Sequence, residues 1–311
     1  MRQLAREIRG SDPKAAGSDP SAGSDPERAG SDPKCAADRG PGSGGRAELI
    51  FVRRGDATVL AHAHAQAPLK IVRPFPLAGG RLVVPLITIG PGLCAGDACT
   101  IDVHVDEGAR AIVTNTAATR LLGMREGTHA DQRVHLTAMS GASLEYYPGL
   151  TIPFPDSAFT QTIDVAAAAD ARVGLLETWA CGRAARDEYL RFRRLRSRTM
   201  VHVDGALAYA DAVHLDPRDA RVDIAGVLDR RRYLVSGFWR GPDLQPADAA
   251  PLPGELTARA LAAFGRTNPR QVFLRALGDD ERTLDAIVEE ALARVARAWR
   301  VTPVRLARFR C

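Results

Sequence analysis

The side chains able to do chemistry in this 311-residue chain fall into three sets. The first is the loop "GPGLCAGDACT", residues 90–100, with Cys94, Asp97 and Cys99. The two cysteines stand five apart, with no Cys-x-x-Cys and no second pair downstream, so a closed zinc site is excluded. Pro91-Gly92 and Ala95-Gly96 supply turn geometry, and Asp97 can hydrogen-bond the backbone beside it. The loop is therefore expected mainly to turn the chain, with Cys94 as a soft metal ligand in the alternative reading.

The second set is imidazole. His62 and His64 in "AHAHA" point to the same side of a strand. His104, His135 and His202 each stand between two apolar residues at one position of a repeated pattern. If those layers stack in line, the three would form an imidazole ladder suited to a borderline metal such as nickel. Otherwise they lie on solvated strand faces. The third set is carboxylate: Glu145 in "SLEYYP", Glu177 at the end of "VGLLE", and Glu188. An unpaired buried carboxylate is costly, so each must point outward or find a partner. Candidate partners lie in "CGRAARDEYLRFRRLRSR", which holds seven arginines from Arg183 to Arg198. Leu190 and Phe192 alternate with them as in a strand with one basic face. A solvated or partner-binding face is favoured there over nucleic-acid binding. Familiar catalytic signatures are missing: there is no P-loop, no Gly-x-Ser-x-Gly elbow and no His-Glu-x-x-His.

The elements that must carry these residues are mostly strands. "AELIFVRRGDATVLAHAHA" reads as strand, Arg-Gly-Asp turn, strand. "RLVVPLITI" is a further strand in which Pro85 marks an edge or a bulge. In "TIDVHV", Ile101, Val103 and Val105 share one face. Strand, small-residue turn and second strand then recur, with turns at Gly108, Gly141, Asp170 and Asp204, 29 to 34 residues apart. A period of this size predicts stacked hairpin or coil-like layers. The expected fold is mainly β: an irregular stacked-sheet body over 47–250, followed by a group of α-helices over 251–311. Helical spacing is read in 253–266, 268–278 and 279–300. In the last, Leu284, Ile287, Val288, Ala291, Leu292 and Val295 line one side.

Residues 1–46 contain four "GSDP" units and few apolar side chains, so a disordered tail is expected there. The remaining composition is ordinary: 45% hydrophobic, 25% charged, formal net charge +5. Five cysteines, odd in number and widely spaced, suggest a reducing compartment. With no apolar signal core and no run of about 18 apolar residues, the protein is expected in the cytoplasm, without a membrane partner.

"APLKIVRPFP", "GPGLCAGD", "EGARAIVTNTAATRLLGM", "SGASLEYYP", "ACGRAARDEYL" and "VHVDGAL" follow one another in an order that resembles the UreD (UreH) family of urease accessory proteins. The likeness spans about 68–211. It departs at "LEYYPGL", where the family's second acidic residue is lost, and at Leu176-Glu177, where the family has Trp-Glu. The resemblance implies a non-enzymatic, mostly-β scaffold that binds apo-urease on one side and UreF on another, with the GTPase UreG recruited through UreF. It implies no tightly bound cofactor, only nickel in transit. Candidate residues for that passage are Asp97, His104, Glu145, Glu177 and Glu188. Gly96, Gly182, Arg183, Tyr146 and Tyr147 belong to partner-binding or structural motifs, with Tyr146, Tyr147, Ile152 and Phe154 considered as partner surface against a core role. A competing reading is a carboxylate-based hydrolase or lyase that sets Glu145, Glu177 and Glu188 on an open strand face.

Overall fold

A computed structural model describes residues 44–219 and 221–306. In chain order the elements are β1 (Gly44–Arg54), β2 (Ala57–Gln66), β3 (Leu69–Ile71), β4 (Phe75–Leu77), β5 (Arg81–Thr88) and β6 (Ala98–Val105). There follow β7 (Arg110–Asn115), β8 (Thr119–Leu121), β9 (Ala130–Ala138), β10 (Ser143–Tyr147), β11 (Leu150–Pro153), β12 (Ala158–Ala167) and β13 (Arg172–Ala180). The last are β14 (Arg194–Val203), β15 (Ala206–Leu215), β16 (Tyr233–Arg240), α1 (Gly254–Thr257), β17 (Ala260–Asn268), β18 (Gln271–Gly278) and α2 (Glu281–Ala298).

The repeat read from the turns is a stack of coils. Each of the first three units crosses from one sheet to the other at its turn, so like strands pile up in parallel. The 7-stranded sheet has the order β15-β14-β12-β9-β6-β1-β2, and β1, β6, β9, β12 and β14 all run parallel. The 11-stranded sheet carries β5, β7, β10 and β13 in parallel at its centre. Only the fourth unit, β14–β15, is a true antiparallel hairpin. The turns themselves are tied together: Gly108 N donates to Ser140 O at 3.0 Å, and Ser140 Oγ donates to Asp170 Oδ2 at 2.9 Å. Pro85, in the interior of the sheet, falls between Val83, which faces β4, and Leu86, which faces β3.

Because the coils stay in register, each inward position forms a row across the 7-stranded sheet. Leu49, Val103, Leu136, Val165 and Val201 make one such row, and all are buried. These rows pack against Val173, Leu175 and Trp179 of β13 and close the core between the sheets. The opposite face of the 11-stranded sheet is covered by α2. Leu284, Ile287, Val288, Ala291, Leu292 and Val295 are buried there against Val83, Ile112, Leu176 and Trp239. Each large aliphatic side chain so buried contributes about 1.5–3 kcal/mol. Asp280 caps α2 by accepting from Thr283 N.

Two of the three C-terminal helices expected from sequence are not there. Most of 253–266 and 268–278 forms β17 and β18, which extend the 11-stranded sheet beside β16, and only the one-turn α1 remains helical. The physical reason is period. Val272, Leu274 and Ala276 are buried on every second residue, and short apolar runs fit both spacings until a sheet edge is available. The expected tail over 1–46 lies outside the described residues, except that 44–46 open β1.

Candidate functional site

In the 7-stranded sheet one inward row is not apolar. It reads Cys99, Gln132, Gln161, Ser197 across β6, β9, β12 and β14. The adjacent row begins Ala47, Ile101, Val134, Ile163 and ends in Thr199 and Asp211. The polar residues therefore gather at the β12–β14–β15 end of the core. Glu177 of β13 enters this patch from the facing sheet. Its Oε1 accepts from Gln161 Nε2 at 2.6 Å and Ser197 Oγ at 2.9 Å, and its Oε2 accepts from Thr199 Oγ1 at 3.2 Å. Gln161 in turn accepts from Gln132 Nε2 at 2.8 Å.

Every one of these donors is neutral. Burial pushes the Glu177 carboxyl above the usual range, and the nearby Asp211 adds to the rise. The Ser197, Thr199 and Gln161 donors pull it back in part. Asp211 is itself held by Ser236 Oγ at 2.6 Å and Arg275 Nη2 at 2.5 Å. The result is a sealed carboxylate cage, 7% exposed at Glu177. It offers no closed ligand set. Among the described residues, no group of three or more His, Cys, Asp or Glu side chains comes together in a way that could hold a metal ion.

Glu145 lies on the other face of the same 11-stranded sheet, beneath the C-terminal segment. Arg81 Nη2 donates to its Oε1 at 2.6 Å and Tyr147 Oη donates to its Oε2 at 2.9 Å. Trp239 Nε1 donates to Tyr147 Oη at 3.0 Å, and Arg81 Nη1 to Thr302 O at 2.6 Å. Burial drives the Tyr147 phenol well above its ordinary range, so it remains a proton donor to Glu145.

The other expected site residues are elsewhere. Glu188 is clamped by Arg183, whose Nε and Nη2 donate to its two oxygens at 2.7 and 2.5 Å, while that guanidinium covers the Phe154 ring at 4.4 Å. Gly182 has φ +142°, and a Cβ there would lie 2.6 Å from Glu188 O, which explains the glycine. Asp97 accepts from Cys94 N at 2.7 Å, and Gly96 has φ +78° and donates its N–H to His129 O. Both hold the loop. Burial, followed by the Asp97 charge, raises the Cys99 thiol to about 11. Tyr146 and Tyr147 are 1% and 0% exposed, on opposite faces of β10, so neither forms a partner surface; each is needed to fill a core.

The imidazole ladder does not form. His104 stands opposite Thr137, His202 opposite Ala166, and His135 between Asp102 and Asp164. Register aligns Val103 with Leu136, so His135 is offset by two residues from His104, and His202 shares the His104 row but stands two intervening strands away, across Thr137 and Ala166. His135 Nδ1 instead pairs with Asp102 Oδ1 at 2.8 Å. Glu145, Glu177 and Glu188 likewise share no groove. Glu145 and Glu177 are separated by a sheet, and Glu188 is neutralised in its own loop, so the paired-carboxylate arrangement of a hydrolase is not built. The members of the cage that motif reading passed over are Gln132, Gln161, Ser197 and Thr199. Their signal was present: each is polar on the parity that is otherwise apolar along its strand.

Comparison with known proteins bears on the same residues. The family model described as UreD urease accessory protein matches residues 43–311. The protein named urease accessory protein UreD 1 of Synechococcus sp. (strain JA-3-3Ab) is 40% identical over 240 residues, which is 77% of this chain and 87% of the relative. Urease accessory protein UreD of Deinococcus radiodurans is 36% identical over 231 residues, 73% of this chain and 83% of the relative. That of Sorangium cellulosum is 31% identical over 260 residues, 83% and 82%. These relatives are named as accessory proteins, not as enzymes. No helix among the described residues is long and apolar enough to cross a membrane. With its stacked-coil body matched along nearly all of the described length, the chain belongs to the UreD family of urease accessory proteins.

Proposed function

We propose that this chain is a cytoplasmic scaffold of urease maturation: it joins apo-urease to UreF, and through UreF to UreG, and helps pass nickel toward the urease active site. Nickel is cargo in this reading, with no tightly bound cofactor. Nucleic acid and membrane are not partners. The observation that carries the reading beyond family membership is the Glu177 cage. It is a carboxylate sealed between two sheets whose hydrogen-bond donors are an amide and two hydroxyls, with no arginine or lysine among them. Oxygen ligands of this kind bind a borderline divalent ion weakly enough to release it, which passage requires and a thiolate cage would prevent.

The test is deletion of the gene from a complete urease operon, followed by assays of urea hydrolysis and of nickel bound to urease. Loss of both, restored by the wild-type chain, is the expected outcome. Fully loaded, active urease made without the chain would overturn the proposal. Co-purification of UreF and the urease subunits with the chain tests the bridging part separately.

A further inference from the structure

The arginine-rich stretch 183–198 is only partly used by the contacts described so far. Arg183 is bound to Glu188, and Arg196 Nε donates to His214 Nε2 at 3.0 Å. Arg193 is spent on carbonyls: its Nε donates to Asp156 O at 2.9 Å, and its Nη2 to Thr128 O and Arg125 O at 2.7 and 2.8 Å. Arg194 differs. Its Nε is sealed from solvent without a hydrogen-bond partner. Arg231 and Arg240 also have a buried, unpartnered Nε, but their Nη atoms bind Asp279 and the Ala168, Ala169 and Ala171 carbonyls. Among the described residues, no guanidinium nitrogen of Arg194 makes such a bond. The sealed Nε cannot itself reach a ligand, but the two Nη atoms of Arg194 are not sealed and are left as donors for one.

Arg194 lines a pocket of 390 Å³ at the N-terminal ends of β9, β12 and β14, together with Arg193, Arg218, Glu126, Thr128 and His129. Asp216 fixes Arg218 by accepting from its Nε at 3.0 Å and its Nη2 at 2.8 Å. Three guanidinium groups face one lining carboxylate, and the balance stays positive with Asp216 counted. With Arg193 bound to carbonyls and Arg218 to Asp216, the donors left for a ligand are the Nη atoms of Arg194, and the charge of the other two guanidinium groups supports them; charge-assisted hydrogen bonds of this kind suit the oxygens of a phosphate group. Small-ligand sites occupy roughly 300–1,000 Å³, so the pocket has room for more than a bare ion.

We infer that this pocket is an oxyanion site for a phosphate group, either free or at the terminus of a nucleotide, with Arg194 as its central donor. Nothing in this inference depends on the Glu177 cage or on nickel.

The experiment titrates the full chain with inorganic phosphate and, separately, with ADP at constant ionic strength, by calorimetry and by 31P line broadening. Saturable binding at about 0.1–1 mM, weakened at least about tenfold in Arg194→Gln, is the expected result. ADP binding tighter than phosphate, and lost in the same variant, assigns the group to a nucleotide; equal or weaker ADP binding assigns it to free phosphate. Arg218→Gln changes a residue whose side chain is 72% exposed, so it keeps the test decisive if Arg194→Gln fails to fold. No saturable binding of either probe, or binding unchanged in the variant that folds, would overturn the inference.

Discussion

Glu145 and Glu177 are both buried glutamates on the same 11-stranded sheet, yet they solve burial in opposite ways. Glu145 faces the helix-covered side and is compensated by a full charge, Arg81, itself 3% exposed. Glu177 faces the inner core and is surrounded by an amide and two hydroxyls, with no cation bound to it. A salt bridge with its hydrogen bonds complete is a finished structural unit that ties β5, β10 and the C-terminal segment together. A carboxylate held only by neutral dipoles retains unmet demand for positive charge. Of the two, only Glu177 keeps that demand, although both were equal candidates on sequence grounds.

The comparison predicts unequal responses to mutation. The largest effect belongs to Arg81→Met, which strands Glu145 as an uncompensated buried charge. Breaking one side of such a pair costs about 3–5 kcal/mol, read as a lower urea midpoint. Adding Glu145→Gln to that variant is expected to recover about half of the loss or more, since no charge is then left buried. If the double variant were no more stable than the single one, Glu145 would not be paired as described.

Glu177→Gln is expected to shift stability the other way, and only modestly. Burial raises this carboxyl above its ordinary value. Its ionisation therefore costs the folded state stability as pH rises through the raised value, and the full cost applies above it. Below the ordinary carboxylate range neither state is ionised and the cost is gone. The variant should melt about 2–4 °C higher than wild type near neutral pH, the scale of a 1 kcal/mol gain in a chain of this size. That gain should shrink to nothing as pH falls to about 4. A gain independent of pH would show that the cage does not penalise the charge.

The smallest effect is expected for Thr199→Val. It removes one neutral donor from Glu177 Oε2 and should cost about 0.5–1.5 kcal/mol near neutral pH. The loss should fade in acid, where a protonated Glu177 needs that donor less.

Much of the architecture was legible because alternation in "TIDVHV" and the recurrent turns at Gly108, Gly141 and Asp170 reflect coil geometry directly. What stayed hidden depended on register and pairing. The offset of two residues between coils, which separates His104 from His135, is not visible in strands whose "VH" pairs look alike. The sheet edge that makes 271–278 a strand lies on β16, far from it in sequence. Within the site, the sequence pointed to Glu177 but not to its cage, because Gln132, Gln161 and Ser197 resemble surface residues until the facing sheet shows that their parity is inward. Tyr146 and Tyr147 illustrate the same limit: adjacent aromatics look like one patch, but a strand sends them to opposite faces.

The most direct test of the contrast is the nickel content of urease matured in cells that carry Glu177→Gln in place of the wild-type chain, at equal abundance of this protein. The account predicts urease with at least about tenfold less bound nickel, a loss of roughly 1.4 kcal/mol or more in the effective transfer, despite a chain more stable than wild type. Urease fully loaded with nickel by that variant would contradict it.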